Sequence, residues 1–547
     1  MSQDKPLNIL WISFEDTTPR FGCYGDDVAQ TPNVDRLASE GCVYTHCFST
    51  AGVCAPARSA IITGMYPTFI GTHHMRTAHT NKNTPEMPTP YSAVIPHYVK
   101  CFSEYLRAAG YYCTNNGKCD YQFDRPVPFT AWDVWKITIP DLLANHWRNR
   151  PDPDQPFFAV YNLQSTHESG QWAEKGGDPK TDPDTVKLPP YLPDTLECRK
   201  ALAGQYDNIA YNDTLVGQLL DQLEEDGLAD NTAVFIWSDH GEGLPRSKRW
   251  PYDGGIRVPL IVKWPGKIKA GSRSNHLIST IDLAPTVLSM TGIDIPQHLQ
   301  GHAFLGPKEE EPRQYIFATR DRYDESYDMI RAVRDKRFKY IRNYRPELER
   351  SLWIPYRNRH PIFQELWKMN REGKLKENPE LAVLFEGSRR AEELYDTQKD
   401  PYELNNLVDN PHYAQDLERL RVVLDNWRHH YDRWGETDEV EMVRRWYPDG
   451  FQPRTVTPIF IPFDEDNPGR DAAYGQVELK APALVQLHSP SQGASIGWTD
   501  EEGDEPEWKL YTDLLRFEKA GTWTIRAKAI RIGYQESAER AVTFIVG

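Results

Sequence analysis

Long apolar runs are what this chain of 547 residues most plainly lacks. No stretch approaches the roughly 20 consecutive apolar residues that a membrane-crossing helix needs. A leader pattern is missing too, since Met1 to Pro6 has no basic start and no small-residue cleavage site before the chain enters Leu7-Asn8-Ile9-Leu10-Trp11-Ile12-Ser13-Phe14. That run reads as a buried strand. As written, the chain is expected to be cytoplasmic, or to have had a leader trimmed from it. Cysteine is sparse and lopsided: all eight (23, 42, 47, 54, 101, 113, 119 and 198) fall in the first 198 residues, with no C-x-x-C pair of the metal-binding kind. Most are expected as reduced core thiols. Positive charge is in deficit, and the formal net charge of −16 argues against nucleic acid or an anionic membrane as the main partner. What remains is a globular composition, 39% hydrophobic and 26% charged, on a chain too long for one core. Two or three domains are expected.

The rest of the chain is organised around Val53-Cys54-Ala55-Pro56-Ala57-Arg58-Ser59-Ala60-Ile61-Ile62-Thr63-Gly64. Cys54 precedes what reads as a short helix: Pro56 suits the first turn, and Arg58, four residues on, shares its face. A helix start presents unpaired N–H groups and the positive end of the dipole, so this is an anion site with a modifiable side chain in its floor. Taken alone, one cysteine before a helix is as well read as a buried structural thiol.

Several apolar runs end in polar, metal-competent groups. Leu7 to Phe14 ends in Glu15-Asp16, Phe157 to Tyr161 leads to His167, and Ala233 to Ser238 ends in Asp239-His240; a further run, Val258 to Trp264, follows. Helical segments alternate with them at Asn33–Glu40, Val99–Ala109, Leu202–Gly227 and Ile281–Thr291. This alternation predicts an α/β fold with a large mixed, mostly parallel sheet flanked by helices. Ligands of such sheets lie at the carboxyl ends of the strands. Taken singly, each acidic strand end is more often a turn or a helix cap. Together, Glu15, Asp16, Asp239 and His240 offer an oxygen-rich set that suits calcium or magnesium better than zinc and admits manganese.

Past about residue 305 the pattern changes. Met329 to Tyr344 alternates and turns at Asp335-Lys336, as a hairpin does, and a helix is expected near Tyr413 to Trp434. The intervening 345–390 reads either as a wall of a cleft or as a helical insertion without contact to substrate. The expected organisation is a catalytic α/β domain over 1–305, an antiparallel subdomain over 306–440, a Pro- and Asp-rich linker over 441–470, and a small β-sandwich over 471–547.

The pattern C-x-P-x-R followed by Thr63-Gly64 resembles the signature of the type I sulfatases of the alkaline phosphatase superfamily. The resemblance recurs at the first strand, at Lys118, at His167, at Asp239-His240 and at Leu394–Leu407, and so covers about the first 430 residues. It implies that Cys54 is oxidised to formylglycine by a formylglycine-generating enzyme, and that Glu15, Asp16, Asp239, His240 and the modified Cys54 hold one divalent cation, most often calcium. The family usually opens with Asp-Asp where this chain has Glu15-Asp16. The resemblance further implies Arg58 and Lys118 as partners of the nucleophile and the sulfate, and His167 and Lys248 as donors to the leaving oxygen, with Arg249 as the fallback for Lys248. Asp120 stands where many members carry histidine, and one of His73 and His74 is expected to contact substrate; taken alone, such a pair in a polar loop is more often surface than site. The implied substrate is a sulfated carbohydrate, in the manner of heparan N-sulfatase and related polysaccharide sulfatases. Two other readings remain open: a phosphonate monoester hydrolase or phosphodiesterase of the same superfamily, and a catalytically lapsed glycan-binding protein.

Overall fold

The computed structural model describes residues 5–80, 82–123, 125–136, 147–172, 177–377, 379–466, 469–471 and 475–547. The first four residues of the Met1–Pro6 lead lie outside them. The main sheet has eight strands: β1 (Asn8–Phe14), β2 (Cys42–Phe48), β3 (Tyr112–Asn116), β4 (Val134–Lys136), β5 (Phe157–Leu163), β6 (Thr232–Ser238), β7 (Arg257–Lys263) and β8 (Ser272–Ser279). Their order is β4-β3-β5-β1-β6-β7-β2-β8. Strand β7 alone runs against its neighbours, pairing antiparallel with β6 and β2, while the other ladders are parallel. β1, β2, β3, β5 and β6 therefore all point their carboxyl ends to one edge.

Strand β1 is buried along its whole length because both sheet faces are covered. Ile9 and Trp11 point into one core layer, beneath helices Cys54–Thr63, Phe102–Ala108 and Leu283–Met290. Leu10, Ile12 and Phe14 point into the other, beneath Pro32–Glu40 and Leu196–Glu225. All eight cysteines are free thiols, seven of them buried.

Four antiparallel strands follow, β9 (Ile316–Arg320), β10 (Ile330–Arg334), β11 (Phe338–Asn343) and β12 (Glu392–Asp396), ordered β12-β11-β10-β9. The β10–β11 hairpin turns at Asp335-Lys336, and helix Ala414–Tyr431 packs Leu417, Leu420 and Leu424 onto this sheet. A bridge from Thr319 to Ala51 ties it to the loop before Cys54. The 441–470 segment is not a plain linker: helix Glu439–Trp446 runs into it, and strand Ile459–Phe463 pairs with Ala483–His488 in the C-terminal region. The reason is apolar alternation within its Pro-rich run, which seats Phe460 in the core shared by the two C-terminal sheets.

Candidate active site

Register brings the acidic strand ends together. Phe14, the last residue of β1, pairs with Leu163 on β5 and Ser238 on β6, so Glu15-Asp16 emerges beside Asp239-His240. All four residues are 0% exposed. Cys54 enters from the chain following β2, as the first residue of its helix. Its Sγ lies 3.2 Å from His240 Nε2 and 4.0 Å from Asp16 Oδ1.

His240 Nδ1 donates to the Gly241 carbonyl at 2.8 Å. That bond leaves Nε2 as the nitrogen able to ligate a metal; it sits 3.2 Å from Asp16 Oδ1 and 3.6 Å from Asp239 Oδ2. Two overlapping donor clusters result, Asp16-Cys54-Asp239-His240 and Glu15-Asp16-Cys54-His167, with ligand atoms within 4.8 Å of one another in each. Glu15 has cations on both oxygens, Arg58 Nη2 on Oε1 and Lys118 Nζ on Oε2. Asp16 and Asp239 are thus the oxygen donors best placed beside the Cys54 sulfur, and the set fits one divalent cation.

A ring of basic groups surrounds this floor. Arg58 donates to Asp239 Oδ2 at 3.2 Å and to Asn162 Oδ1 at 2.9 Å. Lys118 Nζ sits 3.0 Å from Glu15 and 3.1 Å from Asp120. Lys248 Nζ reaches Asp16 Oδ2 at 2.7 Å, Glu168 Oε1 at 3.2 Å and His167 Nε2 at 3.5 Å. The loop that carries Lys248 folds tightly on itself: a Cβ on Gly255 would meet the Ser247 and Trp250 carbonyls at 2.1 and 2.2 Å, so only glycine fits. Asp16, Arg76, Asp120 and Arg249 have left-handed backbones (φ 45, 60, 52 and 76°), a strain that clusters where side chains must be aimed.

Burial opposes ionisation of Asp16, but Lys248, then His167 and His240, override it and hold the carboxyl well below its ordinary range. Burial, reinforced by the Lys248 charge, pushes the His167 imidazole down to about 3. His167 Nδ1 accepts from the Ser169 backbone N–H at 3.3 Å and lies 2.9 Å from its hydroxyl, which puts the proton of the neutral ring on Nε2.

Glu15, Cys54, Lys118, Asp120, His167 and Lys248 all line one cavity of about 510 Å³. Arg249 reaches the same lining but is held, 1% exposed, by Glu168 (3.0 and 2.8 Å) and Asp324 (3.0 Å). It positions Glu168, and Lys248 is the cation at the floor. His73 and His74 are not on the lining as described; they are 1% and 6% exposed, with rings 4.2 Å apart, and His74 Nδ1 accepts the Arg322 N–H at 3.3 Å. Gly71, left-handed at φ 83°, turns that loop into the core first, so Arg76 and His79 are the residues that reach the cavity. Sequence reading missed these two, along with Gln122, Arg125, Trp135 and Tyr356. Only Tyr356 carried a signal, as an aromatic in the irregular 345–390 insertion.

Comparison with known proteins adds the following. The family model described as Sulfatase matches residues 7–293, and a model described as N-sulphoglucosamine sulphohydrolase, C-terminal, matches 241–358. An ulvan-active sulfatase of Formosa agariphila is 40% identical, over 97% of this chain and 90% of that protein. The human N-sulphoglucosamine sulphohydrolase is 26% identical, over 79% of this chain and 91% of that one. Among solved structures, a 2-O GAG sulfatase superposes with a TM-score of 0.58 at 21% identity, covering 79% of this chain and 93% of that one. A phosphonate monoester hydrolase of Agrobacterium radiobacter superposes at 0.53 with 18% identity, over 78% and 96%.

Proposed function

Since the chain belongs to the sulfatase family, its cavity is that of a sulfuric ester hydrolase, and we propose that the substrate is a sulfated polysaccharide of the ulvan type. One observation carries the reading. The Cys54 sulfur lies in the cavity floor between the Asp16-Asp239-His240 donors and the cations Lys118 and Lys248.

In this family the cysteine becomes formylglycine and a divalent ion binds beside it; the residues here fit both, with Asp16, Asp239 and His240 holding the ion, and the two carboxylates favour calcium. Bound there, the ion supplies positive charge against the transferring group. The chain's own residues supply the rest. Lys118 and Lys248 bind sulfate oxygens and cost no reorganisation, since their carboxylate partners already fix them. Arg58 holds Glu15 and Asp239 in place from behind. His167 presents the Nε2 proton toward the leaving alcohol, beside Lys248. Asp120, paired with Lys118 at 3.1 Å and free of the Arg58 contact that also holds Glu15, is the base for release of sulfate.

The test is made on protein produced together with a formylglycine-generating enzyme. The tryptic peptide ending at Arg58 is expected to carry an aldehyde or its hydrate in place of the thiol, and ulvan oligosaccharides are expected to lose sulfate. Full sulfate release by Cys54→Ala would overturn the mechanism. Phosphonate monoesters assayed in parallel serve as the competing substrate, because that activity shares the fold; a large excess for them would replace the reading. The lapsed-enzyme alternative predicts no turnover at all, and the complete set of engaged side chains opposes it.

A further inference from the structure

The cavity is larger than a sulfate group, and one wall of it has no assigned partner. Among the described residues every carboxylate on the lining is engaged: Glu15 and Asp120 by Lys118, and Glu168 by Lys248 and Arg249. Of the lining cations, Lys118, Lys248, Arg249 and Arg76 face carboxylates, the last in an ion pair with Asp324. Arg125 is exposed and has no ion pair or side-chain hydrogen bond among the described residues. A second observation points to a ligand at this wall. Gln122 is 3% exposed and lines the cavity; its Oε1 accepts from Thr77 at 3.0 Å, but its Nε2 has no acceptor among the described residues. Trp135 lines the same cavity, and its indole N–H is likewise buried without an acceptor among the described residues. A buried donor without an acceptor is costly, so donors alone on one wall call for an acceptor-only group.

We propose that the wall formed by Gln122, Arg125 and Trp135, with His79 on the same lining, binds a second anionic group of the saccharide, a carboxylate or a further sulfate, distinct from the sulfate that is cleaved. The inference rests on the reading of the floor as a sulfatase site. Carboxylate and sulfate share the chemistry this wall selects, acceptor oxygens with negative charge and no donor. The ring of Tyr356, with the Arg76 guanidinium 3.8 Å from its centroid, flanks the cavity and offers a flat apolar edge for a sugar ring.

The experiment is calorimetric binding to the Cys54→Ala protein of three disaccharides that share the sulfate to be cleaved. One carries a uronic acid neighbour, one the same neighbour reduced to its alcohol, and one a neutral neighbour bearing a second sulfate. The anionic forms are expected to bind about 10- to 100-fold more tightly than the alcohol, and the better of the two identifies the group. Adding Arg125→Ala should bring the ratio close to one, with Arg125→Lys keeping part of it; an exposed side chain without partners should leave the melting transition in place. Equal binding of all three, no binding by any, or a ratio indifferent to Arg125→Ala overturns the proposal. Sulfate release by the matured enzyme without this discrimination sinks the subsite and spares the catalytic reading. Discrimination without release does the opposite.

Discussion

At the scale of single residues, the buried carboxylates at the floor set two expectations. Asp16 and Asp239 lie together at 0% exposure, so a cation between them stabilises the folded chain by mass action, about 2.7 kcal/mol at a hundredfold excess over its dissociation constant. Chelation with EGTA is expected to lower the melting temperature, and calcium to restore it; a melting temperature indifferent to chelator would remove the ion from that site. His360 sets a pH dependence of stability. Its Nε2 donates to Gln171 Oε1 at 2.9 Å and its Nδ1 accepts the Ile362 N–H at 3.2 Å, capping helix Pro361–Arg371, so the neutral ring is fully engaged. Burial holds its pKa down to about 4. The unfolded chain takes up that proton near pH 6.5, and the folded chain does not until about 4. Stability therefore rises with pH across that window, by up to about 1.4 kcal/mol per unit, and buried His74, also lowered to about 4, acts in the same direction. Urea midpoints should be lower at pH 5 than at pH 7, with a smaller gap in His360→Gln.

At the scale of elements, the sheet face opposite the signature helix depends on how Pro32–Glu40 meets Leu196–Glu225. Gly217 is where they cross, since a Cβ there would meet Asn33 at 2.7 Å. Asp213, one turn earlier, accepts the N–H groups of Asn33 (3.1 Å) and Val34 (2.8 Å), so one helix caps the start of the other. Asp213→Ala is expected to cost about 1–3 kcal/mol by leaving these donors unmet, and Asp213→Asn less. Denaturant titration measures both, and equal losses would mean that packing rather than capping is at stake. The sequence offered Thr31-Pro32 as the helix start; the cap itself comes from 180 residues away.

At the scale of the whole molecule, the C-terminal sheets stand behind the cavity wall. Lys100 Nζ donates to the Gly493 carbonyl at 2.6 Å and lies 2.8 Å from Ser495 Oγ, Arg107 reaches the Trp508 carbonyl at 2.8 Å, and Gln452 donates to the Arg125 carbonyl at 3.3 Å. Lys528 Nζ sits 4.2 Å from the Phe129 ring centroid. Arg531 is 6% exposed and donates to the Ile95 carbonyl at 2.5 Å. Arg531→Ala is expected to cost about 1–3 kcal/mol and to raise KM more than it lowers kcat, because it loosens the wall rather than the floor. A fall in kcat alone would place its influence at the nucleophile instead.

What the sequence determined by itself is local: the period-one apolar runs of β1, β5 and β6, their polar ends, the hairpin at Asp335-Lys336, and the Cys54–Arg58 spacing, because each is written in consecutive residues. It missed β2, β3 and β8, whose polar residues Thr45, Asn115 and Ser274 hide the pattern and which form strands only because neighbours pair with them. Tertiary structure alone decided that β7 runs antiparallel, that His73 and His74 face inward, that Arg249 holds Glu168, and that Gln122, Arg125 and Trp135 line one cavity with Lys118. Those facts depend on where loops of the sheet edge converge, and the free energy that chooses among such arrangements is burial and ion pairing between residues far apart in the chain, which no local pattern records.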